Sequence, residues 1–239
     1  MNDLPAIDLS PFSKRRHPEP PPHLGTRYDR SGSFLREPGN TVVSHVVDGS
    51  ETQKVLVEAR QRYLNMTEAA QLAFTPVSSL HMTIFQGVIE YRRRSGFWPP
   101  DLALDMPIDE TTVRLRERLK EFTGGPSFKV HVVEALPTGL TLDGITAADR
   151  KALRDWRDAL ADIFGYRHPD HDSYRFHITF AYVIQRFDDD ALTSWQTMLE
   201  QVVADIRERL DHVELQLPAF CSFEDMNHFE ELVVLACGK

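Results

Sequence analysis

Hydrophobic and polar positions fall into regular periods only from about residue 41 onward. Upstream, residues 1–38 hold Pro18, Pro20, Pro21, Pro22 and Pro38, with Gly25, Gly32 and Gly39 at or near them. Proline at this density blocks both helix and central strand. The segment therefore predicts an N-terminal arm, with Tyr28, Phe34 and Leu35 as its docking points; a partly ordered tail fits the same composition equally well. Residues 41–47 form a β-branched run ending at Asp48-Gly49, which predicts a strand and a turn. Residues 50–64 carry Val55, Leu56, Ala59 and Leu64 at helical spacing, with Ser50 as N-cap. A strand over 79–89 and a loop over 91–107, containing Trp98-Pro99-Pro100, come next. An amphipathic helix over 109–122 follows (Val113, Leu115, Leu119, Phe122), stopped at Gly124-Gly125. Strands over 127–136 and 140–143 are joined by Pro137-Thr138-Gly139.

The second half resembles the first. A helix over 146–164 starts at a Thr cap and ends at Gly165; a strand spans 174–185, and a long helix spans 188–210. Strands over 212–217 and 231–236 flank a loop over 218–229. Each half thus reads as helix, strand, helix and strand pair. Mixed order with short strand-to-strand links predicts an α+β fold with antiparallel pairing, not a doubly wound sheet. The expected organisation is the arm, 1–38, and one domain, 39–239.

Composition narrows the function classes. The 239 residues are 41% hydrophobic and 26% charged, ordinary for a globular chain. No apolar run approaches a membrane span, and MNDLPAIDLSPFSKRRHPEPPP lacks the apolar core of a secretory signal. Cys221 and Cys237 are too few for a disulfide framework. A reduced, cytoplasmic setting with no membrane partner is the expectation. The net charge of −9 argues against holding long duplex nucleic acid by its phosphates, and leaves room for a local basic pocket. Oligomeric state is not readable from these features.

The candidate chemistry lies in a phrase that occurs twice. Leu80-His81-Met82-Thr83-Ile84 and Phe176-His177-Ile178-Thr179-Phe180 share the frame apolar, His, apolar, Thr, apolar, 96 positions apart. In a strand, residues i and i+2 face the same side, so each copy presents a His and a Thr together and buries its apolar residues. Two imidazoles can divide proton transfer between a base and an acid near neutral pH. A Thr hydroxyl beside each can hydrogen-bond phosphoryl oxygens without adding a charge. This set suits hydrolysis of a cyclic phosphate without a metal. A third His-x-Ser, His171-Asp172-Ser173, lacks the apolar frame and reads as chance.

The doubled frame resembles the paired signatures of the two-histidine (2H) phosphoesterase superfamily, which includes 2'-5' RNA ligase-like proteins and cyclic nucleotide phosphodiesterases. The arm and the Phe97-Trp98-Pro99-Pro100 loop suggest a less-studied, largely bacterial branch. The resemblance implies a bilobal fold whose pseudo-symmetric lobes place the motif strands across a central cleft. Carried over, it implies His81, Thr83, His177 and Thr179 as the catalytic set. The implied substrate is a nucleotide, a cyclic phosphate or an RNA end. The alternatives are 2'-5' end joining, ranked lower for the acidic charge, and a non-catalytic nucleotide- or phosphometabolite-binding module using the same cleft.

Strand parity extends the candidate site. Ser79, Phe85 and Gly87 share a face with His81 and Thr83, while Arg175 and Ala181 share one with His177 and Thr179. Gly87 and Ala181 leave room for a ligand. Phe85 is equally suited to stacking on a base and to filling the core. Arg175 is a candidate phosphate partner, with a surface strand-end charge slightly favoured. A bulge would reverse these assignments. Tyr182 falls on the core face. Lys129 and His131 read as a solvated strand face, and Arg92-Arg93-Arg94 as solvated charge with a possible steering role. Phe220, Phe223 and Phe229 read as packing under a loop or as a lip for a base. No Cys-x-x-Cys or His-Glu-x-x-His is present, and His168, Asp170, His171 and Asp172 form at most a stray cation site. No resident metal or cofactor is expected.

Overall fold

The β-branched run after the arm becomes the inner part of a seven-stranded sheet. In the computed structural model, which describes residues 7–236, β1 (Gly39–His45) is followed by α1 (Glu51–Leu64), β2 (Leu72–Phe74), β3 (His81–Ile89) and α2 (Ile108–Arg118). Then come β4 (Val130–Leu136), β5 (Gly139–Gly144), α3 (Ala147–Phe164), β6 (Phe176–Thr179) and β7 (Ala181–Val183). The chain closes with α4 (Asp189–Arg209), β8 (Ala219–Phe223) and β9 (Glu230–Val234). The large sheet runs β4-β5-β6-β3-β1-β8-β9, and β2 and β7 form a separate pair. Every strand pairing is antiparallel, as expected for the α+β class.

Helix boundaries follow local chemistry. The Ser50 hydroxyl accepts from the Gln53 amide at the start of α1. Thr146 and Asp149 form a reciprocal capping box on α3, and Gly165, at φ 80°, closes it in the left-handed region. α2 is shorter than its pattern predicts and passes into a 3-10 turn over Leu119–Glu121.

Alternation along β1 separates two layers. Val42 belongs to the main core, where Met82, Ile84 and Ile178 meet Trp156, Phe164 and Trp195 of the helices. Val43 belongs to a smaller cluster on the other face, with Ile89, Cys221, Phe223, Met226 and Phe229. Cys221 is buried there, and burial pushes its thiol up to about 12; Cys237 lies outside the described residues.

Three sequence expectations change. The strand expected over 212–217 is reduced to one bridge, Val46 to Leu215, and the following residues, expected as loop, form β8. β2 has no counterpart in the hydrophobic pattern, because three residues carry no period. The long strand expected over 174–185 breaks at Phe180. There the amides of Phe180 and Ala181 both donate to the Thr138 carbonyl, at 2.8 and 3.2 Å, and the chain leaves the large sheet to pair with β2.

The described part of the arm docks onto this second strand pair. Tyr28 is buried, stacks on Tyr182 at 5.5 Å and donates its hydroxyl to the Val183 carbonyl at 2.7 Å. Arg186 donates to the carbonyls of Pro11, His17 and Glu19. Among the described residues, no helix is long and apolar enough to cross a membrane.

Candidate active site

The two motif strands are neighbours, paired antiparallel with Met82 opposite Ile178. Antiparallel register then sets Thr83 across from His177 and His81 across from Thr179. Met82 and Ile178 point into the main core. The His and Thr side chains point the other way and line one cavity of about 300 Å³.

Each histidine is fixed in the same manner. His81 Nδ1 lies 2.7 Å from the Ser79 carbonyl oxygen, and His177 Nδ1 lies 2.9 Å from that of Arg175. A carbonyl only accepts, so each Nδ1 carries the proton and donates. When the ring is neutral, Nε2 is therefore an open lone pair; when it is charged, Nε2 is a donor. Both rings use the carbonyl two residues upstream.

The two environments differ. The Phe229 ring lies 4.3 Å from that of His81, and His45, opposite it on β1, lies at 5.9 Å. Burial, opposed in part by the Ser79 hydrogen bond and aided by the neighbouring His45 and His177, lowers His81 to about 3. It is a neutral imidazole at physiological pH. Burial also lowers His45, against the pull of Glu231 at 3.3 Å.

Local irregularity selects the other cavity residues. Val42 pairs with Phe85 but Val43 pairs with Thr83, so Ile84 is an extra residue in β3. This bulge reverses parity after Thr83. Phe85 is consequently fully buried on the core side, against Phe164, Tyr166, His168 and His171, and does not line the cavity. Gln86 takes the cavity position instead. After Thr179 the break at Phe180 has the same result, and Tyr182, expected in the core, lines the cavity. Gly87 does line it, but the residue is required by packing: a Cβ there would stand 2.0 Å from Asn40 Oδ1 and 2.3 Å from the Asn40 carbonyl oxygen. That side chain is already engaged, accepting from the Val88 amide and donating to Thr112.

Other candidates are redistributed. Arg175 is exposed and paired with Glu134 at 2.5 Å, outside this cavity. It borders a larger, more apolar cavity of about 390 Å³, which includes Ala181 and meets the first at His23, His177, Thr179 and Tyr182. Arg92 is half-buried and lines the first cavity, whereas Arg93 is committed to Glu90 and to the Leu104 and Met106 carbonyls. Phe223 and Phe229 line the cavity; Phe220 is core. His23 and Arg27 of the arm complete it, and neither carried a sequence signal. The Tyr174 ring lies 5.9 Å from that of His177, and its buried hydroxyl has no hydrogen-bond partner among the described residues. Lys129 and His131 line neither cavity. His168 bonds the Gln86 carbonyl and His171 bonds Asp158; among the described residues no three His, Cys, Asp or Glu are grouped to hold a metal ion.

Comparison with known proteins gives the family of the chain. A family model named 2H-phosphodiest, a domain of unknown function (DUF1868), matches residues 27–141, which hold the first motif. The chain belongs to the 2H phosphoesterase superfamily. A crystal structure of another protein is similar along nearly the whole of this 2H chain: the conserved protein of unknown function ATU0111 from Agrobacterium tumefaciens str. C58. The two are 52% identical with a TM-score of 0.94, over 95% of this chain and 98% of that one. No functionally curated protein is detectably similar. Membership of the superfamily supports a phosphoesterase-type function.

Proposed function

We propose that this 2H protein hydrolyses a cyclic phosphate or phosphodiester of a nucleotide or RNA end, with His81 as base and His177 as acid, and without a metal. The observation that carries the reading is the pair of Nδ1-anchored histidines, each beside a Thr, on the wall of one cavity. The lobes carrying the motifs would act as pseudo-symmetric halves of a cleft around the phosphoryl group.

In this mechanism the neutral His81 Nε2 takes a proton from water as the water oxygen attacks phosphorus. The P–O bond to the leaving hydroxyl breaks, and His177 Nε2–H gives that oxygen its proton. Thr83 and Thr179 donate to the phosphoryl oxygens that gather charge. Burial keeps His81 unprotonated in the free protein. The bound anion opposes that burial and strengthens the base once substrate arrives. Each positioned proton-transfer group contributes about 10²–10⁴-fold.

The test is a panel of 2',3'-cyclic nucleotides and cyclic-phosphate RNA ends, with the product identified by 31P NMR. Turnover by the wild type, lost in both His81→Ala and His177→Ala, is expected. Binding without turnover would instead support a sensor, and full activity in both variants would refute the assignment.

A further inference from the structure

Beyond the His–Thr quartet, the cavity wall holds two guanidinium groups and one carboxylate partner. Arg27 gives its Nε to Glu37 Oε2 at 2.5 Å, and both side chains are largely buried. Arg92 has no carboxylate partner among the described residues. Its Nη1 donates to Gln86 Oε1 at 2.8 Å, and Nη2 reaches the Gly87 carbonyl at 3.5 Å. The Arg92 Nε is sealed from solvent and has no hydrogen-bond partner among the described residues. Phe97 covers the guanidinium at 4.7 Å, so the group is held in place.

The two cations share a neighbourhood with His23. Burial, then the charges of Arg27 and Arg92, holds the His23 imidazole at about 4. Burial likewise disfavours the charge on Arg92; Arg27 adds to this, while Tyr166, Asp170 and Glu37 oppose it. A half-buried cation beside another, with donors unspent, costs folding free energy. An anion bound between them would offset that cost and accept charge-assisted, forked hydrogen bonds.

We propose that Arg92 and Arg27 form a subsite for a second phosphate of the substrate. Gln86, which holds Arg92, pairs with Thr41, two residues along β1 from Val43, the partner of Thr83, so with the bulge counted it lies about 7 Å from Thr83. That span suits a single phosphorylated sugar unit. The substrate class is therefore a nucleoside or sugar with its reacting phosphate at one end and a phosphomonoester at the other. The proposal rests on the phosphoester reading of the quartet.

Two measurements keep the two claims apart. In calorimetry, adenosine 2',5'-bisphosphate should bind the wild type about tenfold or more tighter than adenosine 2'-monophosphate, the range for charge-assisted hydrogen bonds. Arg92→Gln should bring that ratio close to one, and Arg92→Lys, which keeps the charge and loses the fork, should leave it intermediate. In turnover, adenosine 2',3'-cyclic phosphate with and without a 5'-phosphate should show the same preference in kcat/KM. Thermal melts establish that each variant is folded. A wild-type ratio near one, a ratio that survives Arg92→Gln, or no binding of either ligand overturns the subsite. An Arg92-dependent binding preference without turnover keeps the subsite and removes the hydrolase reading. Turnover without preference does the reverse.

Discussion

Replacing Phe229 with alanine should raise the pKa of His81. The Phe229 ring lies 4.3 Å from the imidazole and is itself buried, so it closes one side of the ring to water. The fall of His81 from 6.5 to about 3 is chiefly a burial effect. It corresponds to on the order of 5 kcal/mol in favour of the neutral ring. Opening one side to water should return about one pH unit of that, or on the order of 1.4 kcal/mol. The assay needs no substrate: ring 15N and 13C shifts are followed against pH, with His81→Gln to identify the resonance. In the wild type the His81 signals should stay those of a neutral, Nδ1-protonated ring down to pH 5. In Phe229→Ala the ring should begin to titrate at higher pH. The stability consequence has a definite sign. The unfolded chain takes up this proton below about 6.5 and the folded one does not, so stability falls as pH drops from there towards 3. The variant loses packing at neutral pH but should show a shallower acid slope. A wild-type midpoint near 6.5, an Nε2-protonated ring, or the same midpoint in both proteins would refute the reasoning.

Three further perturbations separate structural from chemical roles. Phe85→Ala removes a fully buried ring from the core side of the bulge and should cost about 3–5 kcal/mol. At about 2–4 °C per kcal/mol for a chain of this size, the melting temperature should drop by roughly 6–20 °C; an unchanged melt with lost ligand binding would reinstate Phe85 as a stacking residue. Gly87→Ala should lower stability by several kcal/mol, because the added carbon meets the Asn40 carbonyl oxygen at 2.3 Å, and a wild-type denaturation midpoint would contradict this. Thr83→Val and Thr179→Val should each lower kcat by about 10²–10³-fold with the fold intact, the range for removing one donor to a developing oxyanion; near-normal kcat would remove the hydroxyls from the mechanism.

The His–Thr quartet was legible because its information is local. Two residues at i and i+2 in an apolar frame need only a strand to share a face, and both motif strands supply one. The helices were legible for a related reason: caps such as Ser50 and the Thr146–Asp149 box act within one turn. Parity failed at Phe85, beyond the bulge at Ile84, and at Tyr182, beyond the break at Phe180. A bulge is set by what the neighbouring strand needs. In β3 the extra residue, Ile84, arises because Val42 of β1 pairs with Phe85 while Val43 pairs with Thr83. After β6 the Thr138 carbonyl gathers two amides. Neither demand can be read from the bulged strand alone. His23 and Arg27 were invisible for a different reason. A Pro-rich arm has no period, and its place beside the site depends on tertiary contacts such as the Tyr28–Tyr182 stack and the Tyr28–Val183 hydrogen bond. Arg92 and Arg93 are adjacent in sequence yet serve different ends, one lining the cavity and one tying down the Leu104–Met106 turn.

The most direct test of the two-histidine account is a crystal structure with a nucleoside 2'-phosphate bound. The account predicts the phosphoryl group between His81 and His177, with both Nε2 atoms and the Thr83 and Thr179 hydroxyls within hydrogen-bond distance of its oxygens, about 3 Å. A phosphate bound elsewhere at saturating ligand, with the four side chains untouched, would contradict it.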